Sequence, residues 1–271
     1  MNKALIVGIN KYAESRRNLR GCVNDALLMS RICVNRFDFE NVNLLLNSRA
    51  TKLNIAIGLK TLINKAEPGE NVLFYFSGHG GQILDTNGDE GDLLDECLIT
   101  HDHSWGDPFT DDDIKECLVG HRKGVGVTII IDACHSGTMT DSLDKAVPHP
   151  ELNGSHNITE VRKIGKKQSN PETQRHILVA ACGERGKAYE TRTCLICHRR
   201  HCGHGSYRRR KQGMMTAVLC HFLRAPRFRG SSWKEIHKAF SDRVYRRSKK
   251  KQLPIIYGPE HLLDVVPFKL K

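Results

Sequence analysis

Phe74-Tyr75-Phe76-Ser77-Gly78-His79-Gly80-Gly81 and Ile129-Ile130-Ile131-Asp132-Ala133-Cys134-His135-Ser136-Gly137 are two short apolar runs. Each stops at a small-residue turn, and the turns carry His79 and Cys134. Runs of this length, rich in β-branched and aromatic residues, predict buried strands rather than helices. Laid side by side in a parallel sheet, they present an imidazole and a thiol at one rim, where open α/β sheets bind ligands.

A free thiol is mostly protonated at neutral pH, and an adjacent imidazole can take its proton to leave a reactive thiolate. The glycines flanking His79 let a substrate backbone approach closely and leave backbone N–H groups to face a developing oxyanion. The expected donors are the amides of Gly80 and Cys134. A lone cysteine after a strand is more often inert, and a lone histidine more often a satisfied loop residue. Their joint placement at two strand ends, 55 positions apart, favours a Cys134–His79 dyad.

The surrounding chain alternates in the same way. An apolar run over 3–8 predicts a first strand. Leu19-Arg20-Gly21-Cys22-Val23-Asn24-Asp25-Ala26 opens a helix to about Val34, with Asn24 or Asp25 a candidate cap. A strand is expected over 41–46. Thr51 should cap a helix to about Lys65, with Leu53, Ile57, Leu59, Leu62 and Ile63 near one face. Strands follow over 71–77, 125–132 and 177–181, and amphipathic helices over 214–223 and 233–244. The pattern predicts an α/β fold with a mostly parallel central sheet and helices on both faces.

Composition narrows the class. The chain has 271 residues, ample to bury a core. No charged-then-apolar leader and no membrane-length apolar run are evident, so the expectation is a cytoplasmic protein. Ten cysteines scattered through an α/β pattern favour reduced thiols over disulfides. A net charge of +12 admits a nucleic-acid binder as an alternative. Against it, the basic residues gather after about position 160, 85–113 is strongly acidic, and aromatics make up only 6% of the chain.

Three further stretches stand out. Asp85-Thr86-Asn87-Gly88-Asp89-Glu90-Gly91-Asp92-Leu93-Leu94-Asp95-Glu96 partly imitates a calcium loop, although Glu90 stands where glycine is needed. Such dense acid calls for a hard cation or a basic partner. The polar stretch 144–176 lacks periodicity, which predicts an exposed loop containing Arg162, Lys163, Lys166 and Lys167. Cys194, Cys197, Cys202 and His204 could close a tetrahedral zinc site, or simply belong to an exposed basic insertion.

The caspase signature is Gln-Ala-Cys-x-Gly with its histidine about 50 residues upstream. Asp132-Ala133-Cys134-His135-Ser136-Gly137 with Ser77-Gly78-His79-Gly80 is the version that resembles the metacaspases, caspase-like cysteine peptidases of family C14 in clan CD. The similarity runs from Lys3 to about Phe268. It implies a single caspase-like domain over 1–271 without an N-terminal prodomain. Within it would lie a p20-like part (1–143), the exposed loop (144–176) and a p10-like part (177–271) with a Cys/His-rich insertion at 194–211.

The resemblance further implies a calcium-dependent endopeptidase cleaving after Arg or Lys, with peptide or protein substrates, no membrane or dedicated nucleic-acid partner, and a monomeric state. Cys22, Asp25, Ser77 and Asp132 would form the S1 pocket. Asp95, Asp111, Asp112 and Asp141 would bind calcium, and for Asp111 and Asp112 a negative first helical turn competes with that role. Self-cleavage is expected after Arg162, Lys163, Lys166 or Lys167. A catalytically silent scaffold of the same fold is the remaining alternative.

Overall fold

The computed structural model describes residues 1–84, 94–104, 107–133, 176–182, 187–194 and 209–268. In chain order the elements are β1 (Asn2–Gly8), α1 (Cys22–Arg36), β2 (Phe39–Leu46), α2 (Lys52–Asn64), β3 (Asn71–Ser77) and β4 (Gly80–Leu84). Next come β5 (Leu94–Leu98), β6 (Phe109–Thr110), α3 (Asp111–Leu118), β7 (Gly126–Asp132) and β8 (His176–Ala180). The last are β9 (Glu190–Cys194), β10 (Arg209–Gly213), α4 (Met214–Arg224), α5 (Trp233–Arg247), β11 (Ile255–Tyr257) and α6 (Glu260–Leu263).

Six strands form the central sheet in the order β11-β8-β7-β3-β1-β2. Every pairing is parallel except β11 with β8 at one edge. The chain order reverses beside β1, so β3 and β7 are neighbours in the middle of the sheet.

Alternation along the strands explains why they read as continuous apolar runs. Ala4, Ile6, Leu73, Tyr75 and Ile130 pack beneath α1, α4 and α5 on one face. Leu5, Val7, Phe74, Phe76, Ile129 and Ile131 pack beneath α2 and α3 on the other. With both faces covered, a strand has no polar side to show. Burying each of the Val, Leu, Ile and Phe side chains among them contributes about 1.5–3 kcal/mol.

Two expectations need correction. On α2 the buried residues are Ile55, Leu59, Leu62 and Ile63, whereas Leu53 and Ile57 are 66% and 54% exposed. The buried set follows the i, i+4, i+7, i+8 stripe, and residues two positions off that stripe point about 200° away from it. Thr51 does cap the helix, its side chain accepting from Asn54 N–H. On α1, neither Asn24 nor Asp25 is the cap: Gly21 holds that position without a side-chain bond.

The stretch after His79 contains an antiparallel unit that sequence reading did not resolve, β4-β5-β6. The hairpin β9-β10 is likewise antiparallel and places Cys194 opposite Arg209. Among the described residues, Cys22, Cys33, Cys97, Cys117, Cys182 and Cys220 are buried and outside any disulfide, and no helix is long and apolar enough to cross a membrane.

Candidate active site

The register of β3 with β7 pairs Ser77 with Asp132 at the carboxyl ends of both strands. His79 comes two residues after Ser77, and Ala133 follows Asp132. Cys134 lies outside the described residues. So do Asp141, Arg162, Lys163, Lys166, Lys167, Cys197, Cys202 and His204, together with the side chains of Asp95 and Cys194.

His79 is held from two sides. Its backbone N–H donates to the hydroxyl of Tyr12 at 2.8 Å, and the two rings lie 5.1 Å apart. Its Nε2 sits 2.8 Å from the carbonyl oxygen of Arg17. A carbonyl only accepts, so Nε2 carries the proton and Nδ1 is the basic ring atom. Burial pushes the imidazole below its ordinary pKa, while the bond to the Arg17 carbonyl opposes that shift. A neutral ring with a fixed tautomer suits a general base.

Gly80 begins β4 opposite Leu98. Ile99 N–H donates to the His79 carbonyl at 3.0 Å, which makes Gly80 and Leu98 a non-hydrogen-bonded pair and turns the Gly80 N–H away from β5. That orientation leaves the amide directed outward from the hairpin.

Beneath this rim the structure gathers all four residues expected to form a pocket. Asp25 is fully buried, and its Oδ2 accepts from Ser77 Oγ at 3.2 Å and from Gly213 N–H at 2.8 Å. Asp132 Oδ2 accepts from Thr216 N–H at 2.9 Å. Thr216 in turn shares a 2.6 Å hydroxyl contact with buried Tyr75. Asp25 Oδ1 is buried with no hydrogen-bond partner among the described residues.

Burial, followed by the charge of Asp132, pushes the Asp25 carboxyl well above the usual range. Burial also raises Asp132, against the bonds from Thr216. Two carboxyls buried this close together both favour the protonated form. Burial and then the Asp25 charge push the Cys22 thiol up strongly, so Cys22 stays a protonated thiol beside Asp25 and is no rival nucleophile.

On α3, the pair Asp111 and Asp112 occupies the first turn beside a Thr110–Asp113 capping box. Lys115 Nζ lies 2.9 Å from Asp111 Oδ2 and 2.8 Å from Asp112 Oδ1. Asp111 Oδ1 is buried and has no hydrogen-bond partner among the described residues. Among the described residues no three or more His, Cys, Asp or Glu side chains group to hold a metal ion.

Sequence reasoning missed four contributors. Tyr12 and Thr216 carry no motif, the Arg17 carbonyl has no side-chain signature, and Gly213 matters for the side chain it lacks. A Cβ on Gly213 would lie 2.2 Å from Asp132 Oδ2.

Comparison with known proteins bears on this arrangement. The profile of the metacaspase peptidase C14 domain matches residues 2–143. Metacaspase-2 of Arabidopsis thaliana is 38% identical over 148 residues, covering 51% of this chain and 35% of that protein. Metacaspase-1 of Schizosaccharomyces pombe is 34% identical over 148 residues, with the same coverage of 51% and 35%. The chain thus spans about a third of the length of these curated relatives. Among solved structures, a structural-genomics target protein of Geobacter sulfurreducens superposes with TM-score 0.66 at 21% identity, over 99% of this chain and 98% of that one. Caspase-1 of Spodoptera frugiperda gives TM-score 0.62 at 13% identity, over 99% and 90%. At such identities these two establish the α/β, caspase-like fold and nothing finer.

Proposed function

From the premise that the chain belongs to the metacaspase family of C14 peptidases, we propose that it is a cysteine endopeptidase that cleaves peptides after Arg or Lys. The observation that carries the substrate preference is the buried Asp25–Asp132 pair. A guanidinium or ammonium entering there meets two converging carboxylates, with Asp25 Oδ1 unpartnered among the described residues, the charge-assisted arrangement that planar arginine suits best. Ser77 completes the lining.

In the reaction Cys134 is the nucleophile and His79 Nδ1 takes its proton. The thiolate attacks the carbonyl carbon, and the oxyanion is met by the amides of Gly80 and Cys134. The imidazolium, steadied by the Arg17 carbonyl on Nε2–H, returns its proton to the leaving amine. Water then resolves the acyl-enzyme with His79 again as base.

Calcium activation belongs to the same proposal. The hard oxygen donors of Asp111 and Asp112, with Asp111 Oδ1 unpartnered among the described residues, fit a calcium ion, and Asp95 and Asp141 would complete the set. The ion would supply charge that orders the acidic segments. Self-processing after Arg162, Lys163, Lys166 or Lys167 follows from the basic-residue preference. Zinc at Cys194, Cys197, Cys202 and His204 is a separate proposal, resting on donor chemistry alone.

Cleavage of fluorogenic peptides with Arg, Lys or a neutral residue at the scissile position, across a calcium titration, tests the reading. Turnover confined to the basic peptides and abolished in Cys134→Ala supports it. Equal turnover of neutral peptides removes the preference, and a wild type silent at every calcium level identifies a scaffold. Fragmentation on incubation that is the same in Cys134→Ala as in wild type removes self-processing.

A further inference from the structure

The hairpin β9-β10 sets Glu190 directly opposite Gly213. Gly213 gives its N–H to Asp25 and lies against the Asp132 carboxylate, so the Glu190 backbone starts beside the acidic pair. Its side chain leads on to the loop before α1. There Oε1 accepts from Arg20 N–H at 3.4 Å and would stand 2.9 Å from a Cβ on Gly21, the neighbour of Cys22. Behind the dominant effect of burial, the Glu190 charge acts on Cys22, Asp25, Asp132 and His79 alike. One carboxylate therefore lies within electrostatic reach of both the acidic pair and His79.

Its cation is internal to the hairpin. Lys211 Nζ lies 3.2 Å from Glu190 Oε2, with the two side chains 35% and 33% exposed. Asn24 Nδ2 donates to the Lys211 carbonyl at 2.8 Å, so the strand stays in place whichever way the lysine side chain turns. An ion pair this open to water holds only weakly. It is easily exchanged.

We propose that Glu190 is a third carboxylate of the pocket and that Lys211 is its resident counter-ion, exchanged for the basic side chain of an incoming peptide. This rests on the reading of Asp25 and Asp132 as the pocket that accepts Arg or Lys. Glu190 thereby determines specificity, and Lys211 competes with the substrate.

Steady-state cleavage of an Arg-containing fluorogenic peptide at saturating calcium, by wild type, Glu190→Gln, Lys211→Gln and the double variant, tests this. Glutamine keeps an oxygen for the Arg20 N–H, so loss of charge is separated from loss of shape. Removing a charge-assisted bond should raise KM about tenfold in Glu190→Gln with kcat within about twofold. Lys211→Gln should lower KM about two- to threefold, the measure of a weak competing pair. The double variant should match Glu190→Gln, because Lys211 acts only through that carboxylate.

An unchanged or raised KM in Lys211→Gln overturns the proposal, as does a Glu190→Gln effect confined to kcat. If Asp25→Asn and Asp132→Asn both keep the wild-type KM for this peptide, the underlying pocket reading falls instead, and with it the proposal.

Discussion

Gly213 lies so close to Asp132 that an added Cβ would sit 2.2 Å from Oδ2, while its N–H donates to Asp25 at 2.8 Å. One residue of β10 thus seats the side chains of two carboxylates that come from α1 and β7. Gly213→Ala should push the Asp132 carboxylate off Thr216. A displacement on the order of 1 Å at a reacting geometry can cost about a hundredfold, so kcat/KM toward an Arg peptide is expected to fall by about that factor. Side-by-side kinetics with a melting curve check it, since an equal loss on every peptide together with a collapsed transition would mean unfolding instead.

The raised pKa values of Asp25 and Asp132 set the sign of a stability change with pH. A carboxyl whose folded pKa exceeds its unfolded one binds more protons when folded, so stability falls as pH rises between the two values. Asp132→Asn should lose less stability than wild type as pH rises from about 4, the unfolded carboxyl value, toward neutrality. Urea midpoints across that range measure it, and parallel curves for the two proteins would refute it.

His79 shifts in the opposite sense, its imidazolium being disfavoured by burial. The folded ring resists a proton that the unfolded ring accepts below about 6.5, so its contribution to stability is lost as pH falls below that value. In a Cys134→Ala background, nitrogen-15 spectra should show the Nε2–H tautomer and a titration midpoint below the ordinary histidine value. An Nδ1–H signal would contradict the role given to the Arg17 carbonyl.

Tyr12→Phe removes the hydroxyl that accepts the His79 N–H. A part-buried donor without a partner costs about 1–3 kcal/mol. The expected result is a lower melting temperature and a kcat reduced about tenfold, with KM changed little. A variant with wild-type kcat would show that the base needs no such support.

Lys115 bridges Asp111 and Asp112, where the proposed calcium ion would place its own charge. Lys115→Gln should bind calcium more tightly, shown by calorimetry on the Cys134→Ala background as a midpoint at about a third of the wild-type concentration, the scale of an exposed ion pair. An unchanged midpoint would leave Lys115 as a helix-surface partner only.

The central strands were legible because covering both faces of a parallel sheet leaves a plain apolar run, as in 129–131. Asp25, Ser77 and Asp132 stand in three separate motifs and could be singled out only through the family resemblance; in the fold Ser77 lies beside both acids. β4 was hidden because Gly80-Gly81 reads as a turn, and Leu53 and Ile57 misled because hydrophobicity alone does not say which side of a helix is covered. The Arg17 carbonyl and the Gly213 amide are main-chain groups, identical in every residue type that could carry them. Only the folded path of the chain reveals such partners.

β8 joins the sheet through five parallel pairs with β7, from Val127 with His176 to Ile131 with Ala180. Gly213 and Thr216, which seat the acids, belong to the same later portion of the chain. Two polypeptides divided between 134 and 175 would therefore share one sheet and one active centre, held by main-chain ladder bonds and a common apolar interior. The ladder between β7 and β8, among the described residues on either side, makes the molecule a candidate for reconstitution from separately expressed halves.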